Sequence, residues 1–144
     1  MKICAVDTNI LVRLASGQPA ALFHSTVSAL ESMLDRFPGI RIVAHNMAIG
    51  EAYIALQKHY GLTKPEARTA LADTLNSGLL EPLDGRSALD AITAAAKGAG
   101  LIDRMLLLDA HARQTAPLYT LDHALAKVPG AELLVATPSK EAGS

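Results

Sequence analysis

Short continuous apolar runs alternate along this chain with longer stretches whose apolar residues recur every three or four positions. Ile3-Cys4-Ala5-Val6 is such a run, and it predicts a short buried strand over residues 1–6. A helix follows from near Thr8, whose hydroxyl is a candidate cap, and ends before Gly17. Leu22, Phe23, Val27, Leu30 and Leu34 fall on one face of a second helix, opened at Pro19 and stopped by Pro38-Gly39. Arg41 to Ala44 reads as a strand, and Asn46 as the cap of a helix running to about Tyr60 before Gly61. Thr63-Lys64-Pro65-Glu66 carries the signature of a capping box, and the helix it starts ends near Ser77-Gly78. Leu79 to Leu83 predicts a short strand, with Pro82 marking an edge or an end. Helices are expected from about Arg86 to Lys97 and from Asp103 to about Gln114, and the last strands at Leu118–Thr120 and Leu133–Ala136.

Strands separated by helices or helix pairs imply crossover connections and a mostly parallel sheet. The expected architecture is α/β: one domain over residues 1–136 with a short central parallel sheet flanked by helices, followed by a frayed tail over 137–144. No internal repeat or low-complexity linker divides it.

Composition narrows the function classes. Half of the 144 residues are apolar, enough for a folded core rather than disorder. Cys4, the single cysteine, excludes an intramolecular disulfide and a cysteine-rich zinc site, which fits a reduced, cytoplasmic setting. Lys2 and the apolar run after it superficially suggest an export signal, but Asp7, Asn9 and Arg13 interrupt it too early, and no stretch has membrane-spanning length. A formal net charge of -1 offers no bulk attraction to nucleic acid, so phosphate binding falls to local patches or to a metal. An aromatic content of 3% provides no stacking platform for bases. The five histidines show no paired zinc spacing, and of these only His123, beside Asp122, invites attention.

Four acids stand where apolar elements begin or end. Asp7 closes the first strand, and Thr8 beside it is already available to cap the helix, which favours a functional role for Asp7 over a capping one. Glu51 has Met47, Ala48, Ile54 and Ala55 as its helical neighbours, so it is expected half-buried, unless it lies at the helix edge with its head in water. Asp103 is either the N-cap of its helix or a ligand pointing out of the helix end. Asp122 follows Leu118-Tyr119-Thr120-Leu121 and gains meaning from the other three. Asp109 is better explained by an exposed pair with Arg113, four residues on. In an open parallel sheet the carboxyl ends of the strands share one crevice, so these acids can meet there. Clustered carboxylates need a cation, and hard oxygen ligands select Mg²⁺ or Mn²⁺.

With those residues in place, the chain resembles a PIN domain, and within that class a VapC-type toxin ribonuclease. Val6-Asp7-Thr8-Asn9-Ile10-Leu11-Val12-Arg13 resembles the family's first acidic motif, Asn46 to Leu56 the second, Gly100-Leu101-Ile102-Asp103-Arg104 the third, and Thr120-Leu121-Asp122 with Leu125 to Gly130 the fourth. The likeness runs in order over nearly the whole chain. It departs at Leu121, where many members carry Phe, and at Arg104, where a small residue is common. The resemblance implies a small PIN-like α/β/α sandwich, metal-dependent hydrolysis of RNA, a homodimer, and a small VapB-like antitoxin that covers the crevice.

On this reading Asp7, Glu51, Asp103 and Asp122 are the catalytic set. Asp7 and Asp103 are expected to ligate Mg²⁺ or Mn²⁺, with Glu51 and Asp122 binding directly or through water. Thr8, Asn9 and Thr120 are expected to orient the carboxylates. Arg13, Arg104 and Lys127 are rim cations for phosphate, the competing reading being ordinary solvated charge. A doubly wound phosphoryl-transfer fold would need a second aspartate two positions after Asp7, where Asn9 stands. The remaining alternative is a catalytically silent PIN-like module that binds RNA or a protein partner.

Overall fold

The computed structural model describes residues 2–135. Its elements alternate as the apolar pattern demands, and the architecture is mixed α/β with short parallel strands flanked by helices. Strand β1 (Ile3–Val6) leads into α1 (Thr8–Ser16) and α2 (Ala20–Arg36); β2 (Arg41–Ala44) leads into α3 (Asn46–Tyr60) and α4 (Lys64–Leu75). Strand β3 (Glu81–Pro82) is followed by α5 (Arg86–Ala94) and α6 (Leu101–Ala112), and β4 (Leu118–Thr120) by α7 (His123–Ala126) and β5 (Ala131–Leu133).

The helix ends show why the chain folds this way locally. Gly17 and Gly61 close α1 and α3 in the left-handed conformation that glycine adopts without penalty. The capping box of α4 is formed: the Thr63 backbone N–H donates to Glu66 Oε1 at 2.9 Å, and the Glu66 N–H donates to Thr63 Oγ1 at 3.2 Å. The bond from the Thr63 backbone holds the Glu66 carboxyl below its ordinary value of 4.5. Two expected caps are corrected. Asp7, in extended conformation, caps α1, and Thr8 is already inside the helix; His45, not Asn46, precedes α3. Helix α6 starts two residues before Asp103, from an extended Gly100, and Arg104 fastens that start by donating to Ala99 O at 2.8 Å and Lys97 O at 3.0 Å.

One body carries most of the burial. Helix α3 is buried nearly all round its first half, at Ala48, Ile49, Ala52, Tyr53 and Leu56, as befits a helix enclosed by neighbours. It packs on α1, α4 and α6, and the joint core takes in Leu11, Leu71, Ile92, Leu101 and Met105. Strands β1, β2 and β3 form a parallel sheet in chain order, with Ile3 opposite Arg41 and Ala44 opposite Pro82. Arg41 and Glu81 form an ion pair across β2 and β3.

The expected single sheet is divided. Strands β4 and β5 pair in parallel with each other, Leu118 opposite Ala131, and among the described residues no backbone hydrogen bond joins β4 to β1. The physical reason is a second small core: Leu125 and Ala131 pack with Leu107 of α6 and Ala99, which anchors the last three elements on α6. Strand β5 lies earlier than Leu133–Ala136 for the same reason, since buried Ala131 sets its register and Leu134 and Val135 are exposed. Ala136 and the expected tail over 137–144 lie outside the described residues. Among the described residues no helix is long and apolar enough to cross a membrane.

Candidate active site

Asp7 stands at the carboxyl end of β1. Its Oδ1 accepts a hydrogen bond from the Ile10 N–H at 3.1 Å, while Oδ2 accepts none among the described residues. Asp122 repeats that arrangement after β4: its Oδ1 accepts from the N–H groups of Ala124 at 2.7 Å and Leu125 at 3.2 Å, leaving Oδ2 free among the described residues. The Asp122 N–H in turn donates to Thr120 Oγ1 at 3.0 Å, so Thr120 fixes the turn that presents the carboxylate. Asp103 is half-buried in the first turn of α6. Three of the four acids therefore sit at helix N-termini, where the positive end of the helix dipole favours negative charge.

Glu51 is on α3 and is exposed; the expectation of a half-buried carboxylate fails because α3 turns this position outward beside its buried Gly50 and Ala52. The missing side chain of Gly50 permits close packing: a Cβ there would meet Ile102 Cδ1 at 3.0 Å. Glu51 and the first turn of α6 thus flank a shallow apolar groove lined also by Met47, Ile102, Met105 and Leu106.

The chemistry of these donors suits a hard cation, but their spacing does not. Among the described residues no three carboxylates, imidazoles or thiols stand close enough to hold one metal ion. Asp7 belongs to the three-stranded body and Asp122 to the β4–β5 unit, and no strand pairing brings them together. Of the supporting residues, Thr8 is half-buried and Asn9 exposed in the first turn of α1, and Arg13 lies in its last turn. Arg104 spends its guanidinium on two carbonyls, and Lys127 is exposed at the end of α7. All five histidines are exposed.

Sequence reasoning missed one polar cluster. Asn46 is only 4% exposed, and its Nδ2 donates to Asp84 Oδ2 at 2.7 Å and to Asp109 Oδ1 at 2.8 Å. Asp109 therefore faces Asn46 and makes no ion pair with Arg113. The signal that was available is Asp84 itself, which ends an apolar strand run just as Asp7 and Asp122 do. A further concavity of about 290 Å³ between α5, α6 and the segment after α7 holds none of the four expected acids. No family model, curated protein or solved structure matches this chain.

Proposed function

We propose that this chain is a ribonuclease of the PIN class, a VapC-type toxin that hydrolyses RNA phosphodiester bonds and depends on Mg²⁺ or Mn²⁺. The observation that carries the reading is the placing of Asp7, Asp103 and Asp122 at three helix N-termini, with an oxygen of Asp7 and of Asp122 left without a hydrogen bond among the described residues. Asp7 and Asp122 cap their helices with one oxygen each, and Asp103 stands in a first helical turn that it does not cap, in the order in which the sequence resembles the family's motifs.

The acids do not meet as they stand, so the reading carries a geometric requirement. The outer edge of β1 and that of β4 are both unpaired among the described residues, and Ile3 at 52% and Tyr119 at 57% exposure leave apolar surface beside them. Parallel pairing of these edges, within one chain or between two copies, would carry Asp122 to the end of the sheet where Asp7 stands. The exposed side chains of Met47, Ile54, Ile102 and Leu106 on α3 and α6 support the homodimer or antitoxin contact that the reading includes. An antitoxin arginine or lysine reaching Asp7, Glu51, Asp103 and Asp122 would inhibit by matching their charge.

The test is cleavage of labelled RNA by purified protein with Mg²⁺, with Mn²⁺ and with excess EDTA. Cleavage restricted to the metal-containing reactions, and absent in Asp7→Asn, is the expected result. Cleavage that persists in EDTA, from protein shown free of contaminating nuclease, overturns the metal dependence. In cells, expression of this chain alone should arrest growth, and a small protein encoded beside it should relieve the arrest.

The separation of the four acids favours one second reading, a silent PIN-like module that binds RNA or a partner without cleaving it. RNA retained by the protein but uncut with either metal would establish that reading in place of the first.

A further inference from the structure

Helices α1, α4 and α7 begin on side chains that cap them: Asp7, Thr63 and Asp122. Helix α6, which carries Asp103 in its first turn, has no such cap, because Gly100 before it has no side chain to accept an N–H. The segment leading in, Ala95-Ala96-Lys97-Gly98-Ala99-Gly100, holds only one side chain longer than a methyl group, and Gly98 sits at φ +72°. Its two glycines give the segment wide backbone freedom. Buried Ala99 and Leu101 anchor it by apolar contact, which carries no direction.

The directional bonds come from inside the helix. Arg104 Nε donates to Ala99 O at 2.8 Å and Nη2 to Lys97 O at 3.0 Å, so one rigid guanidinium ties two carbonyls of the segment to the residue that follows Asp103. Arg104 is half-buried and forms no ion pair among the described residues. The edge of its fork that carries Nε and Nη2 is therefore occupied, and gripping a phosphate by that edge would release both carbonyls.

We propose that Arg104 is a positioning residue for Asp103. By clasping Lys97 and Ala99 it sets the first turn of α6 and with it the place of the Asp103 carboxylate, and it does not serve as the phosphate-binding rim cation expected from the sequence. The proposal rests on the ribonuclease reading, in which Asp103 ligates the metal. A reacting group must be held close to its productive geometry, and a displacement of about 1 Å can cost on the order of 100-fold in rate.

The experiment compares full-length parent protein with Arg104→Gln and Arg104→Lys in steady-state cleavage of labelled RNA with Mn²⁺, and in RNA binding in EDTA over a range of salt concentrations. Both variants lose the clasp, since neither an amide nor a single ammonium reproduces the two-carbonyl fork, but Lys keeps the charge. The expected result is that kcat falls at least ~10-fold in both, KM changes less than about twofold, and RNA affinity keeps the parent's salt dependence. A phosphate contact predicts the opposite: Lys close to the parent, and Gln with a raised KM and a salt slope shallower by about 0.7. A further variant supplies the missing cap. Gly100 is at φ -74° with open space where a Cβ would stand, so Gly100→Ser can accept an N–H of the first turn. Added to Arg104→Gln, it should restore kcat several-fold, and it secures the test if Arg104→Gln alone folds poorly. The proposal is overturned if Arg104→Lys cleaves at the parent rate, if the loss falls on KM with a shallower salt slope, or if Gly100→Ser restores nothing to folded Arg104→Gln protein. Parent protein that cuts no RNA overturns it together with the ribonuclease reading. Parent protein that cuts while Arg104→Gln cuts equally fast overturns it alone.

Discussion

The three-stranded body and the β4–α7–β5 unit are built from similar elements but held in different ways. In the body, α3 is enclosed by α1, α4 and α6, and the large side chains of Leu11, Ile49, Leu56, Leu71, Ile92 and Leu101 are fully buried. The smaller unit rests on a core of Leu125, Ala131, Leu107 and Ala99, two of which are alanines. It leaves Tyr119, Leu121, Leu134 and Val135 exposed, Leu121 at 76%. The two regions also divide the candidate acids, with Asp7, Glu51 and Asp103 in the body and Asp122 in the unit. The difference teaches that the body holds both the large core and three of the proposed acids, while the fourth depends on a unit with a smaller core. The body buries the larger apolar core, whereas the proposed site is complete only when the unit with the smaller core contributes.

The largest effect should come from removing charge on each side of that division. Asp7→Asn and Asp122→Asn should each lower RNA cleavage by more than about 100-fold while leaving the circular dichroism spectrum unchanged, since Asn caps a helix as well as Asp. If Asp122→Asn protein cuts RNA at the parent rate, the unit has no part in the site and Asp122 is a helix cap alone.

Core truncation sharpens the same contrast in stability. Leu56→Ala should cost about 3–4 kcal/mol and unfold the whole chain at lower urea, because the site is enclosed and cannot collapse. Leu125→Ala should cost less, about 2 kcal/mol, and hydrogen exchange should show faster opening confined to residues 118–135. Equal losses with uniform exchange would mean that body and unit form one cooperative block.

The smallest effect lies within the body, at the cap of α4. Thr63→Ala should cost about 1 kcal/mol by urea denaturation and should leave exchange in the β4–β5 unit untouched. Glu66 adds a pH signature. Its carboxyl is held below the ordinary 4.5 by the Thr63 backbone and hydroxyl bonds, so the folded state binds that proton less readily than the unfolded one. Its contribution is full above 4.5 and is lost as pH falls through the lowered folded value. Urea midpoints of parent and Glu66→Gln should therefore converge on acidification, and a gap that stays constant would remove the carboxylate from the cap.

Much of the fold was legible in the sequence because local signals and tertiary packing agree. Arg41–Ala44, Asn46–Tyr60 and Leu118–Thr120 occupy the expected positions, and the Thr63–Glu66 box forms as its spacing dictates. Boundaries failed where a neighbour decided them. Gly100 and the Arg104 clasp start α6 early, and the Ala131 contact with α6 draws β5 upstream of its more apolar residues. The short helix His123–Ala126 carries too few residues for periodicity to reveal it. Asp7 and Asp122 were singled out by their place after apolar runs, and both follow strands and cap the helices after them. Whether acids distant in sequence meet is decided by how strands pair, and apolar pattern does not encode pairing order. The Asn46 cluster was hidden for a related reason: Asp84 and Asp109, far apart in sequence, meet at an amide nitrogen of a residue that sequence reading assigned to a cap.

Because β1, β2 and β3 lie side by side in chain order, each strand is added to the outer edge of the one made before it. No strand has to be wedged between two already paired, so the body can assemble in the direction of synthesis as the chain emerges. Its helices are complete at Ala112, ten residues before Asp122. At ribosomal rates of about 5–20 residues per second, Asp122 is made on the order of a second after Ala112, and it must then clear the ribosome. Under the proposed function, a nascent chain thus holds a folded scaffold and three of its acids before it can cut anything. On that proposal, the interval would give a small inhibitor its first opportunity to engage the chain before its fourth acid is in place.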